Sequence, residues 1–187
     1  MPDFTKKALE ASLKHLLLNK PVNKITISDI TEDCGVSRMT FYYHFKDIYD
    51  LVEWSCREDA LRAMEGNRTY DTWEQGFLKI LNAVRDNKPF ILNVYRNVSR
   101  EQIEEYLYTV TYRLLIDVVE ERAADLRVRD EDKRFLADFY KYAFVGVMLD
   151  WIRSDMREDP QSVAGRVAAI TEGGFTAALC RLTNGPV

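Results

Sequence analysis

Residues 26–46 read TISDITEDCGVSRMTFYYHFK, and this stretch decides how the N-terminal part of the chain folds. Thr26 is followed three residues later by Asp29, which is typical of a capping box at the start of a helix. A short helix is therefore expected to begin at Ile27. Gly35 is suited to end it, because glycine takes the left-handed conformation without steric cost.

A second short helix is expected directly after this turn. Ser37 can cap its N-terminus. Phe41 and Phe45 are four residues apart, which gives the helix an apolar face that can pack on the first helix. Two short helices joined by a tight turn predict a helix-turn-helix.

The side chains outside that apolar face fit the chemistry of DNA. No Asp or Glu occurs between Asp33 and Asp47, although the chain carries a net charge of −4. Cationic side chains can neutralise phosphates, hydroxyls can donate to phosphate oxygens, and Met or Thr can meet a thymine methyl group. The residues predicted to contact DNA are Thr26, Ser28, Ser37, Arg38, Met39, Thr40, Tyr42, Tyr43, His44 and Lys46. The alternative is a helix-turn-helix that serves only packing, with the tyrosines in the core.

The run ITISDITEDCGVSRMTFYYHFKDIYDL, residues 25–51, resembles the DNA-binding signature of the TetR family of bacterial transcription regulators. In that signature a turn ending in Gly-Val-Ser leads to a helix ending in T-x-Y-x-H-F-K, and the resemblance covers residues 5–55. Within the family, FYYHFKDIYDL-x-EW at residues 41–54 is most similar to the regulators of dihydroxyacetone kinase operons. The resemblance implies a homodimer with a three-helix DNA-binding domain and a variable helical C-terminal domain.

The charges are distributed unevenly along the 187 residues. Residues 1–48 hold seven Lys and Arg against six acids, and the remainder holds 19 against 24. A chain with this acid excess does not bind nucleic acid merely by being basic. The DNA contact must therefore be concentrated on one helix and its flanks.

The rest of the chain is expected to be helical, since no two-residue alternation extends beyond four positions. Further helices are predicted at residues 3–18, 47–65, 71–87, 89–98, 99–125, 131–155 and 159–182, with Gly66-Asn67 ending the second of these and Asp71-x-x-Glu74 beginning the third. The predicted fold class is all-α. It comprises an N-terminal three-helix helix-turn-helix domain at residues 1–48 and a larger helical domain for regulation and dimerisation at residues 49–187.

The last two predicted helices are apolar on more than one side, which is more than a monomer normally buries at its chain end. Small residues would allow close helix approach, and they are Gly146, Gly173, Gly174 and Ala177. Two copies of the pair would form a four-helix dimer interface. The residues predicted in this interface are Phe139, Tyr142, Gly146, Leu149, Val167, Ile170, Gly174, Ala177 and Ala178.

Aromatic and isolated polar side chains on the central helices suggest a ligand pocket. The residues that would line it are Trp73, Phe77, Tyr95, Arg96, Tyr108, Tyr112, Tyr140, Phe144 and Trp151. The alternative is that they simply fill a helical core, as aromatic stripes at helical spacing usually do.

The sequence holds no glycine-rich phosphate loop, G-x-S-x-G, H-E-x-x-H or paired Cys-x-x-Cys, so we predict neither an enzyme, nor a cofactor, nor a metal site. The three cysteines are widely separated and are interpreted as buried thiols. No stretch approaches the roughly 20 apolar residues of a membrane span, and we expect a cytoplasmic protein.

The function expected from these patterns is transcriptional regulation by a homodimer on double-stranded DNA. The primary interpretation is a repressor on a palindromic operator, controlled by a small-molecule effector at the C-terminal domain. The alternative is an activator controlled by a partner protein, with the C-terminal domain serving as a scaffold for dimerisation and interaction.

Overall fold

Ten α-helices make up the described part of the chain. The computed structural model describes residues 2–63, 65, 69 and 72–183, which contain no strand. The helices are α1 (Pro2–Leu17), α2 (Ile27–Asp33), α3 (Arg38–His44), α4 (Ile48–Ala63), α5 (Trp73–Asp86), α6 (Lys88–Asn97), α7 (Arg100–Ala123), α8 (Asp130–Arg153), α9 (Pro160–Thr171) and α10 (Gly174–Thr183). A short 3₁₀ turn at Val22–Lys24 precedes α2. The predicted all-α fold class is confirmed. The predicted helix end at Gly66-Asn67 and the predicted cap at Asp71 lie outside the described residues.

Residues 1–61 and 86–103 pack into a first compact unit. Leu13, Ile30, Phe41 and Leu51 come from four different helices, are fully buried and belong to one apolar cluster. Phe90 of α6 joins the same cluster. Each such side chain contributes roughly 1.5–3 kcal/mol by leaving water. The core of the predicted three-helix domain is therefore not complete with α1, α2 and α3 alone, because side chains of α4 and α6 also belong to it.

This packing unit does not end where the functional division was predicted. The predicted boundary at residue 48 was meant to separate DNA binding from regulation, and that functional division stays a prediction. The packing extends further, because Leu51, Val52 and Trp54 of α4 are buried in the first unit.

Residues 62–85 and 104–187 form a second unit that contains α5 and α7–α10. Its core joins α7, α8 and α10 through Leu115, Val119, Leu136, Ala137, Phe175 and Leu179. At the end of α8, the Trp151 indole Nε1–H donates to the Glu158 carbonyl at 2.8 Å, which fixes the turn before α9.

The prediction of one helix over residues 159–182 is wrong. Gly173 has a φ of +68°, in the left-handed region that breaks an α-helix. The Glu172 N–H closes α9 on the Ala168 carbonyl at 2.7 Å, and the Ala177 N–H opens α10 on the Gly173 carbonyl at 2.9 Å. A glycine pair interpreted as allowing close helix approach therefore separates two helices.

The three cysteines are free thiols. Cys34 and Cys56 are half-buried, whereas Cys180 is exposed, so the prediction of a buried thiol is wrong there. Desolvation by the surrounding protein, with nearby Asp59, raises the pKa of the Cys56 thiol to about 12. That thiol is protonated and unreactive at neutral pH.

Two glycines of the second unit should respond to alanine with opposite signs. A Cβ built at Gly173 or at Gly165 meets no atom within 4 Å, so only the backbone decides the effect. Gly173→Ala should lower the free energy of unfolding by about 1–2 kcal/mol, since alanine resists the left-handed region. Gly165→Ala, within α9, should raise it by roughly 0.5–1 kcal/mol. Urea denaturation followed by circular dichroism measures both, and effects of the same sign would contradict this backbone assignment.

Candidate nucleic-acid interface

The N-terminus of α2 is fixed by a reciprocal pair of hydrogen bonds. Thr26 Oγ1 accepts from the Asp29 N–H at 3.1 Å, and Asp29 Oδ2 accepts from the Thr26 N–H at 2.7 Å. This confirms the predicted capping box. Lys20 Nζ donates to the same carboxylate oxygen at 2.7 Å. Lys20 and the Thr26 hydrogen bonds lower the pKa of Asp29 to about 2.

The turn between α2 and α3 closes as a Schellman motif. Gly35 has a φ of +71°, which lets the Val36 N–H reach back to the Thr31 carbonyl at 3.0 Å. Val36 then packs against the core of the first unit. This geometry sets the direction in which α3 leaves the turn.

Two phenylalanines orient α3 on the protein. Ser37 Oγ accepts from the Thr40 N–H at 3.0 Å and begins the helix. Phe41 is fully buried, and the Phe45 ring centroid lies 5.9 Å from it and 5.7 Å from that of Trp54 on α4. With these rings in the core, the opposite face of α3 must point to solvent.

That opposite face carries the predicted DNA contacts. Met39 and Tyr43 are each 81% exposed, which is unusual for large apolar and aromatic side chains and is typical of an interaction surface. Exposed predicted residues are Thr26, Ser37, Arg38, Met39, Tyr42, Tyr43 and Lys46, and half-buried ones are Ser28, Thr40 and His44. The structure therefore leaves all ten accessible to solvent at least in part.

The N-terminus of α4 is also capped by the chain itself. Asp47 Oδ1 accepts from the Asp50 N–H at 2.9 Å, and Asp50 Oδ2 accepts from the Lys46 N–H at 2.9 Å. Helix N-termini often bind phosphate through free N–H groups. Here a side chain accepts one N–H in the first turn of each of α2, α3 and α4. Fewer N–H groups are then available for phosphate, and side chains such as that of Lys46 are the candidates for phosphate contacts.

A cation behind α3 was missed by the sequence analysis. Lys6 of α1 places its Nζ 5.6 Å from the Phe45 ring centroid and 5.5 Å from that of Trp54. The long side chain lies along the aromatic pair, as cation–π geometry allows.

A polar cluster between α1 and α4 was missed as well. Glu10 is buried and accepts from Lys14 Nζ at 2.7 Å and from Ser55 Oγ at 2.9 Å. Lys14 Nζ also donates to Asp59 Oδ2 at 2.8 Å. Burial alone would lower the pKa of Lys14, but the bonds to Asp59 and Glu10 raise it, so the ammonium stays charged. The only sequence signal was the four-residue spacing of Glu10 and Lys14.

Two family models match this chain. Residues 11–53 match bacterial regulatory proteins of the tetR family, and residues 71–173 match a transcriptional regulator C-terminal region. The chain belongs to the TetR family. The second match alone covers more than half of the sequence, and the resemblance stated from residues 25–51 is confirmed.

Relatives of this TetR-family chain are regulators by name. It is 23% identical to the HTH-type dhaKLM operon transcriptional activator DhaS of Lactococcus lactis subsp. lactis. The match extends over 147 residues, which is 77% of this chain and 77% of DhaS. The solved structure of the dihydroxyacetone kinase operon activator DhaS superposes with a TM-score of 0.70 at 19% identity, covering 96% of this chain and 98% of that one.

Two other solved structures share the fold. The TetR family repressor AlkX from a Dietzia strain gives a TM-score of 0.56 at 14% identity, over 92% of this chain and 95% of AlkX. NalD, the secondary repressor of the MexAB-OprM multidrug efflux pump in Pseudomonas aeruginosa, gives a TM-score of 0.57 at 13% identity. The superposition covers 96% of this chain and 98% of NalD.

The predicted function class is confirmed at this level: the chain is a TetR-family DNA-binding transcriptional regulator. Regulators of this family bind DNA and usually act as dimers, and the relatives found are regulators rather than enzymes. In the part of the chain that the structure describes, no helix is long and apolar enough to cross a bilayer. The same residues contain no group of three or more His, Cys, Asp or Glu that could hold a metal ion.

The residues predicted to line a regulatory pocket of this TetR-family chain fall in separate places. Tyr95 and Arg96 belong to the first unit, and the others belong to the second. Trp73, Phe77 and Phe144 pack on one another, with ring centroids 5.0–5.5 Å apart for the pairs that include Phe144. Tyr140 stacks on Phe175 at 4.0 Å, and the Trp151 indole is engaged by the turn after α8.

Tyr108 and Tyr112 face a cation of their own chain. The ammonium of Lys141 lies 5.5 Å from each of their ring centroids and 4.5 Å from that of Tyr142. Asp138 accepts a hydrogen bond from it at 2.6 Å. Burial alone would lower the pKa of Lys141, but this bond raises it, so the cation occupies the aromatic group at neutral pH.

The residues predicted in the dimer interface divide into two groups. Phe139, Tyr142, Gly146, Ile170 and Ala177 are exposed, and Val167 and Ala178 are half-buried. Leu149 is only 3% exposed, and a Cβ at Gly174 would lie 2.8 Å from Tyr140 Oη, so these two pack within their own unit and we remove them from the proposed face. Phe135 and Val147 of α8, which the prediction omitted, are exposed beside Phe139.

The ion pair at the start of α2 should make stability depend on pH. Because the pKa of Asp29 in the folded state is about 2, below the usual 3.8, its contribution is complete above pH 3.8 and is lost as pH falls towards 2. Asp29→Asn keeps an acceptor for the Thr26 N–H but loses the charge that pairs with Lys20. The variant should melt below the parent at pH 6, and the difference should vanish near pH 2. Thermal melts at both pH values measure it, and a constant difference would show that the charge of Asp29 does not contribute.

Proposed function

We propose that this regulator reads a palindromic operator with α3, one copy of the helix from each protomer of a homodimer. The observation that supports this most directly is the exposed, acid-free face of α3, with Met39 and Tyr43 held outward because Phe41 and Phe45 are buried behind them. Large apolar and aromatic side chains that are exposed together on a monomer mark an interaction site. The major groove of DNA is wide enough to accept such a helix.

The roles of the side chains follow from their positions on α3. Arg38, Met39 and Thr40 form the first turn, and in helix-turn-helix proteins the N-terminal residues of the second helix contact base edges. Arginine can bond guanine in two places, and Met and Thr can meet a thymine methyl group. Tyr43 and Lys46, at the C-terminal end, are assigned to phosphates, together with Tyr42, His44, Thr26, Ser28 and Ser37.

The assignment of Lys46 makes a quantitative prediction about salt. Each phosphate contact contributes about 0.9 to the slope of log affinity against log salt, so Lys46→Ala should reduce that slope by about 2 in a dimer. The measurement is fluorescence anisotropy of the full chain on duplexes retained from a randomised pool, titrated at several salt concentrations. The affinity should fall to a similar extent on all of these duplexes, since a phosphate contact carries no sequence information.

Lys79→Ala is the matched control, because Lys79 is an exposed lysine of the second unit. It should leave both affinity and slope unchanged. A parent chain that retains no duplex even at low salt would contradict DNA binding by this surface. A Lys46→Ala slope equal to that of the parent would contradict the phosphate role of Lys46 alone.

The dimer is assigned to the exposed apolar stripe on α8. Phe135, Phe139, Tyr142 and Gly146 recur at helical spacing on one side of this helix, and Ile170 of α9 is also exposed. A contiguous apolar stripe on a soluble helix marks an interaction site. A second copy of the chain is the occupant that fits, because TetR-family regulators usually act as dimers.

Phe139→Glu should dissociate the dimer without unfolding the chain. The side chain is 60% exposed within one chain, so the substitution is tolerated there and puts an unpaired carboxylate into the interface. Truncating a central interface aromatic costs about 2 kcal/mol or more, and two copies are affected. Sedimentation velocity at micromolar concentration should show a dimer for the parent and a monomer for the variant.

Phe4→Glu, at a phenylalanine of α1 that is 82% exposed, is the control and should remain dimeric. A monomeric parent would contradict the assignment.

The direction of regulation proposed here is activation. The relative from Lactococcus lactis, which matches 77% of this chain, is named a transcriptional activator. This favours the alternative interpretation over the repressor expected first. Reporter transcription from a retained operator, with and without the chain, distinguishes the two.

Control is proposed to enter through the second unit. The aromatic side chains expected to form a pocket there mostly pack on one another or on Lys141. This placement does not support one pocket lined by the predicted set, and it favours a partner protein as the source of the signal. A partner or effector must bind the DNA-competent state more tightly than the other, by about 1–3 kcal/mol for a 5- to 150-fold change in DNA affinity.

A further inference from the structure

The loop between α1 and α2 is held by a side chain that lies far away in sequence. Asn93, on α6, is 71 residues from Val22 and contacts that loop with both ends of its amide. Its Nδ2 donates to the carbonyls of Leu17 at 2.9 Å and Lys20 at 3.0 Å. Its Oδ1 accepts from the Val22 N–H at 3.0 Å.

These three hydrogen bonds pair two carbonyls and one N–H that the local backbone does not pair. The carbonyl of Leu17 would bond the N–H four residues on, but that residue is Pro21, which has none. The Lys24 N–H, four residues after Lys20, instead closes the 3₁₀ turn on the Pro21 carbonyl at 2.9 Å. The Val22 N–H lies at the start of that turn, where no earlier carbonyl within the turn can accept it.

A neighbouring residue of α6 holds the Asn93 amide in place. Asn97 Nδ2 donates to the Asn93 carbonyl at 2.8 Å and to its Oδ1 at 3.2 Å. The two N–H groups and both lone pairs of the Asn93 amide are then used, which is the full capacity of this side chain. The amide is therefore locked in one orientation.

The loop that Asn93 holds also carries the group that fixes α2. Lys20, whose carbonyl bonds Asn93, donates through its side chain to Asp29 at 2.7 Å. Asp29 in turn caps the α2 N-terminus through Thr26. Thr26 is one of the side chains assigned to DNA phosphate. A continuous series of short hydrogen bonds thus connects α6 to the DNA-facing end of α2.

We infer that Asn93 is a positioning residue for DNA binding: its three hydrogen bonds set the loop that places the N-terminus of α2 against the phosphate backbone. It touches no DNA itself. The inference rests on the proposed function, since it assigns a role in operator binding to a residue outside the helix-turn-helix.

Asn93→Asp is the sharpest test, because it keeps the size of the side chain and the acceptor for the Val22 N–H. It removes both donors and sets a carboxylate against the carbonyls of Leu17 and Lys20. Affinity of the full chain for a duplex retained by the parent should fall by about tenfold or more at fixed salt. The salt slope should stay that of the parent, because the contact that is weakened comes from the uncharged Thr26 hydroxyl and no cationic side chain loses a phosphate.

Amide hydrogen exchange separates positioning from general destabilisation. In Asn93→Asp, exchange should accelerate at residues 18–30 and stay at the parent rate in α8. Asn82→Ala, which removes a half-buried asparagine of the second unit that accepts from Arg85, is the matched control and should change neither readout. Asn93→Ala serves as a second variant, with the same localised exchange and a smaller loss of affinity, since it adds no charge.

Parent-like affinity in both Asn93 variants would overturn the inference, and so would faster exchange throughout the chain. A loss of affinity accompanied by a lower salt slope would show that cationic side chains had lost their phosphates, and would contradict a role confined to the placement of α2. If the parent itself retains no duplex, the proposed function fails and the inference fails with it. If the parent binds and the variants bind equally well, only the inference fails.

Discussion

The burial of Phe41 and Phe45 is the constraint on which the reading surface depends. A helix of seven residues is too short to hold its shape in water, so α3 exists because one side of it is in the core. Those two rings fix its rotation about its own axis. With them inside, Arg38, Met39 and Tyr43 are exposed and accessible to a partner.

The chain also offers few charged groups to DNA. The chain is acidic as a whole, so no general attraction draws it to DNA. The starts of α2, α3 and α4 are capped by Thr26 with Asp29, by Ser37 and by Asp47 with Asp50, which leaves fewer of their N–H groups for phosphate. In the proposed complex, affinity depends on a few cationic and hydroxyl side chains, and a dimer would double each of these contacts.

Features fixed within a few residues could be predicted from the sequence. The capping pair of Thr26 and Asp29, the turn at Gly35 and the cap at Ser37 each depend on neighbours at most five positions apart. The exposed face of α3 could be predicted for the same reason, because it follows from the burial of Phe41 and Phe45, whereas the DNA contacts of the ten candidate residues stay a prediction.

What failed depends on contacts between distant segments. Leu149 and Phe139 both belong to apolar stripes of α8, and the sequence does not tell which stripe its own chain covers. Gly173 was taken as a packing residue because its φ is not visible in a sequence with a continuous apolar pattern. Lys6, Lys141 and Asn93 were missed because each long or polar side chain has partners on a segment that is distant in sequence.

The central claim is that two copies of α3 read two half-sites of one operator. The most direct measurement is to incubate the full chain with a randomised pool of double-stranded DNA and sequence the duplexes that it retains. The account predicts an inverted repeat whose half-site centres lie about 10 base pairs, or a small multiple of that, apart. Met39→Ala and Arg38→Ala should change the recovered bases at symmetric positions and leave the spacing unaltered. Retained duplexes without a recurring inverted repeat, or with one that neither substitution changes, would contradict it.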